Sequence, residues 1–331
     1  MRRFLVTVFL LAALVVLGVG AAGLWWVYQP MAIPKAPLDL SIESGTLPRG
    51  VAQAVVDAGV DVHPTLLYLW FRVSGQARDI KAGSYELEAG LSPHRLLTKL
   101  ARGEEALQTV MLVEGWTFKQ FRAALAKEPH LKPETHGLPD TELMARIGRQ
   151  GQHPEGRFFP DTYTYARGST DVAVLQRAMR AMDKRLAAAW EQRAPAAATK
   201  TPEEALILAS IVEKETGKNA DRPLVSAVFN NRLRMGMRLQ TDPSVIYGLG
   251  DSFDGNLRRV DLQNDNPWNT YTRAGLPPTP IAMPGKASLL AAVQPAPSKA
   301  VYFVARGDGT SQFSQTLEEH NRAVNKFQRG Q

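Results

Sequence analysis

The pattern of hydrophobic and polar positions begins with one long apolar run, Phe4–Tyr28, which contains no charged side chain. About 20 apolar residues cross a bilayer as a helix, so the run predicts a transmembrane anchor over 4–28. Arg2 and Arg3 lie before it, in a short stub over 1–3, and the positive-inside rule puts that stub in the cytoplasm. The alternative is a cleaved signal peptide, but the apolar core of such a peptide is usually only about 7–15 residues long.

A proline-rich stretch over 29–37 predicts a stiff linker, and short amphipathic elements follow it over 38–104. Leu38–Ile42 alternates apolar and polar residues, as a half-buried strand does. Two helical patterns and a second strand, Gly83–Leu87, come next, and Ser92 with Pro93 then opens a further helix. The order strand–helix–helix–strand predicts a small βααβ module. The remainder, 105–331, is predicted to form a larger domain of mixed helices and strands.

The strongest helical signal in that larger domain begins at Thr201, a capping residue that is followed by proline and two acidic residues. The run Ala205–Val212 has no polar face, so the helix should be buried on nearly all sides. Glu213 follows on an apolar face, where burial and the helix dipole disfavour the ionised carboxylate. A protonated carboxyl is what a general acid requires. The alternative is a solvated helix tail in which Glu213 pairs with Lys or Arg.

Glu215 points about 160° away from Glu213 at 100° per residue, so we expect it to hold the end of the helix rather than to take part in chemistry. Further along the chain, Asn, Gln, Thr, Trp and Tyr residues lie in turns that are rich in Pro and Gly. Such groups can hydrogen-bond sugar hydroxyls and stack on sugar rings, although loop capping explains any one of them equally well. The candidate orienting or sugar-contacting residues are Gln240, Thr241, Asp242, Asn269 and Tyr271.

The composition of the chain excludes several kinds of reactive and binding site. The chain has 331 residues, a formal net charge of +7 and no cysteine, which excludes disulfides, thiol nucleophiles and cysteine-ligated metals. Basic residues are not interleaved with aromatic residues, so a nucleic-acid partner is not indicated. No zinc-protease motif, phosphate-binding loop or serine-hydrolase elbow occurs, and we expect neither a metal nor a cofactor.

Several longer motifs, in this order, resemble those of the YceG-like family of endolytic murein transglycosylases. The motifs are Leu112-Val113-Glu114-Gly115-Trp116-Thr117, Phe159-Pro160-Asp161-Thr162-Tyr163, Ile211-Val212-Glu213-Lys214-Glu215-Thr216, Val228-Phe229-Asn230-Asn231-Arg232-Leu233, Gly236-Met237-Arg238-Leu239-Gln240-Thr241-Asp242-Pro243, Tyr247-Gly248, Asn269-Thr270-Tyr271, Gly275-Leu276-Pro277-Pro278 and Glu319-His320-Asn321. The resemblance covers the whole chain after the linker.

The resemblance implies an α+β protein with a single transmembrane helix, a LysM-like module over 38–104 and a catalytic domain over 105–331. It implies an inner-membrane enzyme that faces the periplasm and has peptidoglycan strands as its substrate, with peptidoglycan synthases as possible neighbours. The family's essential glutamate falls on Glu213. As an acid, it would first protonate the glycosidic oxygen between N-acetylmuramic acid and N-acetylglucosamine in a nascent strand. It would then act as a base in closing a 1,6-anhydro end, which would terminate elongation of the strand.

Two other functions remain open from the residues. A membrane-anchored peptidoglycan-binding or divisome scaffold without turnover is compatible with the small βααβ module and with the absence of a recognisable second carboxylate. An ordinary glycoside hydrolase needs two acidic groups, and Asp161, Asp242 and Asp254 are the candidates for the second one. The chemistry of the product end would separate the hydrolase from the transglycosylase.

Overall fold

The structure is a computed structural model that describes residues 2–329. Met1 of the predicted stub and residues 330–331 of the predicted catalytic domain lie outside the described residues. The chain forms two compact units. The first runs up to Gln108 and also takes in Thr164–Ser169, and the second comprises Thr109–Tyr163 and the chain from Thr170 onwards. The domain boundaries that the sequence suggests stay predictions.

The chain begins with an apolar helix, α1 (Arg2–Tyr28). Among residues 2–329 it is the one helix that is long and apolar enough to cross a membrane, over Val6–Tyr28 with a mean hydropathy of 2.5. Its most apolar window is not covered by the rest of the protein. The predicted N-terminal apolar helix is therefore confirmed as a helix, whereas its orientation stays a prediction.

The first unit continues in the predicted strand–helix–helix–strand order. Strands β1 and β2 pair antiparallel, from Leu38 opposite Leu87 to Ile42 opposite Gly83. The alternation in β1 buries Leu40 and Ile42 against the helices. This order is confirmed, and the LysM likeness stays a prediction. The elements are β1 (Leu38–Ile42), α2 (Pro48–Asp57), α3 (Pro64–Val73), β2 (Gly83–Leu87) and α4 (Pro93–Arg102).

Two short strands carry the chain between the units and pair with each other: β3 (Leu107–Met111) and β4 (Thr162–Ala166). The second unit is mainly helical, with one further antiparallel strand pair near its end. Its elements in chain order are α5 (Phe118–Ala126), α6 (Asp140–Arg146), α7 (Asp171–Glu191), α8 (Pro202–Glu215), α9 (Arg222–Arg234), α10 (Asp242–Leu249), α11 (Arg259–Gln263), α12 (Lys286–Val293), β5 (Tyr302–Ala305), β6 (Ser311–Ser314) and α13 (Leu317–Gln328).

Helix α8 forms the centre of the second unit's core, as its sequence predicts. Every residue of Ala205–Val212 is buried, and α7, α9 and α12 pack around it. Its one small hydroxyl, on Ser210, donates to the carbonyl of Ile207 and accepts the N–H of Ile281. Because every polar group of this segment is satisfied internally, the helix can hold the residues at its C-terminal end in fixed positions.

Side-chain hydrogen bonds fix the end of α8 and the start of α9. Helix α8 ends at Glu215, before Gly217, and the hydroxyl of Thr216 donates to the carbonyl of Val212 at 2.6 Å. Asp221 precedes α9 but makes no side-chain cap. Its carboxylate accepts the N–H of Ser311 instead, at 2.6 Å, because β6 packs beside the helix start.

Candidate active site

Glu213 is buried, as its face of α8 predicts, but its neighbours are charged and polar rather than apolar. One carboxylate oxygen lies 3.4 Å from the guanidinium of Arg222, and both side chains are only 8% exposed. The other oxygen accepts the N–H of Gly285 at 2.9 Å. A guanidinium and a backbone N–H are contacts that stabilise a carboxylate. The structure therefore combines the burial of the first interpretation with the arginine partner of the alternative, and the catalytic role of Glu213 stays a prediction.

A second carboxyl, Glu114, belongs to the same cluster and comes from the motif that follows β3. Burial raises the pKa of the Glu114 carboxyl, the charge of Glu213 raises it further, and Arg222 opposes both effects. Arg222 therefore pairs with Glu213 and also lowers the pKa of Glu114. The neighbouring Gly115 has a φ of 76°, in the left-handed region that favours glycine, and it lies beside the side chain of Glu213. Gly115 and Trp116 also exchange backbone hydrogen bonds with Met283, which fixes this motif beside α8.

Glu215, on the opposite side of the end of α8, faces a cavity of about 750 Å³. Its carboxylate accepts a hydrogen bond from the hydroxyl of Thr241 at 2.5 Å. Burial raises the pKa of the Glu215 carboxyl, and the nearby Asp242 raises it too, whereas Thr241 and Arg232 lower it. The hydrogen bond from Thr241 links the end of α8 to the start of α10, and the expectation that Glu215 takes no part in chemistry stays a prediction. Its side chain reaches a different helix start and borders open space, which we call the cleavage cavity.

The turn before α10 gives the cleavage cavity its shape. Gln240 has a φ of 51°, in the left-handed region that residues other than glycine rarely adopt. The turn is held by Thr270, whose carbonyl accepts the N–H of Gln240 and whose hydroxyl accepts the N–H of Thr241. Such backbone conformations persist where the surrounding contacts enforce them, and they concentrate at functional sites. The exposed Gln240 side chain borders the cavity, as the sequence-based choice of this residue requires.

Three other predicted residues lie at or near this turn in different roles. Asp242 is exposed at the cavity wall and accepts a hydrogen bond from the hydroxyl of Tyr271 at 2.5 Å. Burial raises the pKa of that hydroxyl, and Asp242 raises it further. Thr241 is only 1% exposed, so it orients Glu215 instead of contacting a ligand directly.

Asn269 is fully buried and lines neither depression, so its predicted contact with substrate gains no support here and stays a prediction. Its amide donates to the carbonyls of three residues, and its own carbonyl accepts the N–H of Tyr271. Both of its N–H groups are therefore used inside the loop that carries Tyr271. Asn269 positions that loop. The three donated bonds go to Asp261, Leu262 and Asn264.

The wall opposite Glu215 contains residues that sequence reasoning did not select. Arg232 on α9 is buried and donates to the carbonyls of Val301 and Leu239, and its guanidinium lies 5.2 Å from the ring centre of Tyr302. His320 stacks on the same ring. Burial lowers the pKa of His320, and Arg232 lowers it further, so both favour the neutral imidazole over the imidazolium. Arg232 and His320 belong to recognised motifs, but only the fold places them beside Glu215.

A second depression of about 690 Å³, here called the second groove, lies between α5 and α10 and contains a carboxyl that sequence reasoning missed. Glu155 is 3% exposed, and its oxygens accept the N–H of Phe118 and the hydroxyl of Tyr247. Burial raises the pKa of Glu155 to about 7. The only hint in the sequence is that Glu155 precedes two aromatic residues, Phe158 and Phe159, both of them buried.

Metal ligation needs several His, Cys, Asp or Glu side chains around one point. Among residues 2–329, no group of three such residues is arranged to hold a metal ion. The acidic side chains near the end of α8 are instead engaged with arginine, hydroxyl and backbone donors. The arrangement thus offers a desolvated carboxyl at a cavity wall, which is suited to proton transfer.

Comparison with known proteins defines the class to which this fold and site belong. The sequence profile of the YceG-like family matches residues 40–326. The endolytic murein transglycosylase of Bacillus subtilis is 30% identical over 310 residues, which cover 88% of this chain and 85% of that protein. The endolytic murein transglycosylase of Streptococcus pneumoniae strain D39 is 28% identical over 366 residues, covering 96% of this chain and 65% of that protein.

A 2.6 Å crystal structure of a yceG-like protein from Listeria monocytogenes has the same fold. It superimposes with a TM-score of 0.55 at 29% identity and covers 86% of this chain and 98% of its own. The profile match spans most of the chain, including the residues around both depressions. The chain belongs to the YceG-like family.

Proposed function

We propose that this chain is a membrane-anchored endolytic murein transglycosylase in which Glu215 is the catalytic acid and base. The observation that carries the proposal is the Glu215 carboxyl, which is desolvated, hydrogen-bonded to Thr241 and open to the cleavage cavity. A raised pKa keeps a carboxyl protonated at higher pH, which is the state that a general acid needs. The substrate that we propose, the glycan strands of murein, follows from the relatives, which are named endolytic murein transglycosylases.

The proposed reaction has two proton transfers and consumes no water. Glu215 gives its proton to the bridging oxygen as the bond from that oxygen to C1 of N-acetylmuramic acid breaks. The resulting carboxylate then takes the proton of the muramyl O6 hydroxyl, and O6 forms a bond to C1. The products are a free 4-hydroxyl on N-acetylglucosamine and a 1,6-anhydromuramyl end, and Glu215 is protonated again.

One carboxyl is sufficient for this reaction because the substrate supplies its own nucleophile. A hydrolase would need a second carboxylate to activate water or to attack C1. The nearest other acid at the cavity, Asp242, is hydrogen-bonded to Tyr271 and raises the pKa of Glu215. Asp242 therefore favours the protonated form of the acid. This support for the transglycosylase is independent of the names of the relatives.

Glu213 remains the residue predicted from sequence resemblance, and the two carboxyls lead to different experimental results. We expect Glu215→Gln to abolish anhydromuramyl products, because an amide cannot give and regain the proton. Glu213→Gln should retain measurable turnover with a lower unfolding temperature, because it removes only one partner of Arg222. The assay incubates the full chain in detergent with glycan strands and identifies the product ends by mass spectrometry.

The same assay also addresses the remaining alternatives. Loss of turnover in Glu213→Gln together with full activity in Glu215→Gln would restore the sequence-based assignment. Products that carry an added water molecule would indicate a hydrolase. Binding of strands by the unmodified chain without any product would favour the non-catalytic scaffold.

The proposed location is the bacterial inner membrane, with the second unit in the periplasm. It is supported by the apolar helix α1 and by Arg2 and Arg3 in the sequence before the apolar run. A cut within a nascent strand separates its growing end from the rest, so the enzyme would end elongation near peptidoglycan synthases. Protease added to the outside of spheroplasts should digest the second unit and leave α1 protected.

A further inference from the structure

We propose that the second groove binds the peptide-bearing muramyl residue of the glycan strand, with Lys214 contacting a carboxylate of its peptide. This inference rests on the proposed function, since it assigns part of the same substrate to a surface outside the cleavage cavity. It is argued from three features of the groove: its closeness to the cavity, its aromatic residues and its balance of charges.

The second groove and the cleavage cavity are lined by neighbouring residues at two places. Lys214 lines the groove and Glu215 lines the cavity, and in the same way Pro243 lines the groove and Asp242 lines the cavity. Consecutive Cα atoms are about 3.8 Å apart, so the two depressions come close to each other at the end of α8 and the start of α10. A strand bound beside Glu215 that extends past the end of α8 would reach the second groove.

Two aromatic side chains on the groove wall are held in fixed orientations. The rings of Tyr247 and Trp268 meet edge to face, with centres 5.6 Å apart. The Tyr247 hydroxyl donates to Glu155, and the Trp268 indole N–H donates to the hydroxyl of Thr279. Both side chains are part-buried and pack against the core of the second unit, so their positions are fixed, and the part of each ring on the groove wall can contact the C–H face of a sugar.

The charged residues of the groove leave one cation without a carboxylate. Lys119 pairs with Asp251, and Arg122 pairs with Asp140. Lys214 is exposed, and among residues 2–329 its ammonium group has no carboxylate within 4.0 Å; it donates only to the carbonyl of Gly115 at 3.4 Å.

The remaining acid of the groove is Glu155, which is buried with its oxygens turned to Phe118 and Tyr247. A ligand that complements this wall therefore has a sugar ring beside an anionic group. In murein, the muramyl residue has this chemistry, because its lactyl group carries a peptide with free carboxylates.

The test compares peptide-bearing strands with strands from which an amidase has removed the peptides. We expect Lys214→Met in the full chain to raise KM about three- to fivefold on peptide-bearing strands, the range of an exposed ion pair. On peptide-free strands its KM should equal that of the unmodified enzyme, and kcat should be unchanged on both. Lys214→Arg keeps the positive charge, so its KM on peptide-bearing strands should stay close to that of the unmodified enzyme. Lys184→Met, an exposed lysine of α7 that borders neither depression, is the matched control.

Equal slowing of Lys214→Met on both substrates would overturn the proposal, because it would show an effect on Glu215 or on folding instead of a peptide contact. Unchanged kinetics on both substrates would overturn it as well. Failure of the proposed function has a different signature, since the unmodified chain would then release no anhydromuramyl product from either substrate.

Discussion

The hydroxyl of Thr241 donates a 2.5 Å hydrogen bond to the carboxylate of Glu215, a residue 26 positions earlier in the chain. Thr241 directly precedes α10 and Glu215 ends α8, so the bond joins two helix ends at the wall of the cleavage cavity. It opposes the effect of burial on the pKa of Glu215. The acidity of the proposed catalytic group is therefore set by two opposing contacts, and each can be removed separately.

Thr241→Val removes the hydroxyl and preserves the shape of the side chain. The hydrogen bond favours the ionised carboxylate, so its loss should raise the pKa of Glu215. A hydrogen bond to a charged group contributes about 1.5–3 kcal/mol, and one pKa unit corresponds to about 1.4 kcal/mol. We therefore expect the alkaline limb of the pH–rate profile to move up by about one to two units. Thr241→Ser should keep the original limb, and an unmoved limb in Thr241→Val would contradict the proposed role of Glu215.

Asp242→Asn should shift the same limb in the opposite direction. The negative charge of Asp242 raises the pKa of Glu215, so its removal should lower that pKa. Activity should then decline at a lower pH than in the unmodified enzyme, because the acid loses its proton earlier. Tyr271→Phe is the control, since it removes the hydroxyl bonded to Asp242 and leaves the charge in place. Movement of the limb to higher pH in Asp242→Asn would be incompatible with this electrostatic account.

Arg222→Met tests whether the cluster around Glu213 is structural. The substitution leaves the Glu213 carboxyl, whose side chain is 8% exposed, without its cation. Breaking a buried ion pair in this way costs about 3–5 kcal/mol, so the unfolding temperature should fall clearly. Adding Glu213→Gln to this variant should recover part of the loss, because it removes the uncompensated charge. A single Arg222→Met variant as stable as the unmodified protein would refute the structural role.

The buried carboxyl of Glu155 should make the free energy of unfolding depend on pH. Burial raises its pKa from 4.5 to about 7 in the folded protein, so between these values the folded state holds a proton that the unfolded chain releases. The contribution of Glu155 to the free energy of unfolding is complete below about pH 4.5. It is lost as the pH rises through about 7, and the total loss is roughly 3 kcal/mol.

The measurement is thermal unfolding of the full chain in detergent at pH 5 and pH 8. The Glu155→Gln variant cannot titrate at this position, so its unfolding temperature should fall less over this interval than that of the unmodified protein. Glu142→Gln, at an exposed position of α6, should behave like the unmodified protein. Parallel curves for Glu155→Gln and the unmodified protein would contradict the assigned burial effect.

Much of the local structure followed from the sequence because short-range patterns encode it. The apolar run of α1, the alternation in β1 and the capped start of α8 at Thr201 all predicted elements that the structure contains. The buried character of α8 was also predictable, since a helix without a polar face has to be covered on all sides. The opposite directions of Glu213 and Glu215 followed from helical geometry alone.

The roles of the individual site residues did not follow in the same way. Asn269 and Tyr271 lie two positions apart in one polar motif, yet one is fully buried and the other borders the cleavage cavity. Glu155 gave almost no signal, because its burial depends on α5 and α10, which are distant in sequence. Polarity and spacing cannot distinguish an amide that binds a ligand from one that satisfies loop carbonyls.

The sequence by itself determined that α1 and α8 are helices, that the core of α8 has no polar face, and that two carboxyls leave the end of α8 in opposite directions. Only the tertiary structure decided what each carboxyl meets. Arg222 and Gly285 close around Glu213, whereas the turn at Gln240 and Thr241 leaves open space beside Glu215. The reason is physical: a helix fixes the direction of a side chain locally, but its charge environment is set by residues that folding brings together from distant parts of the chain.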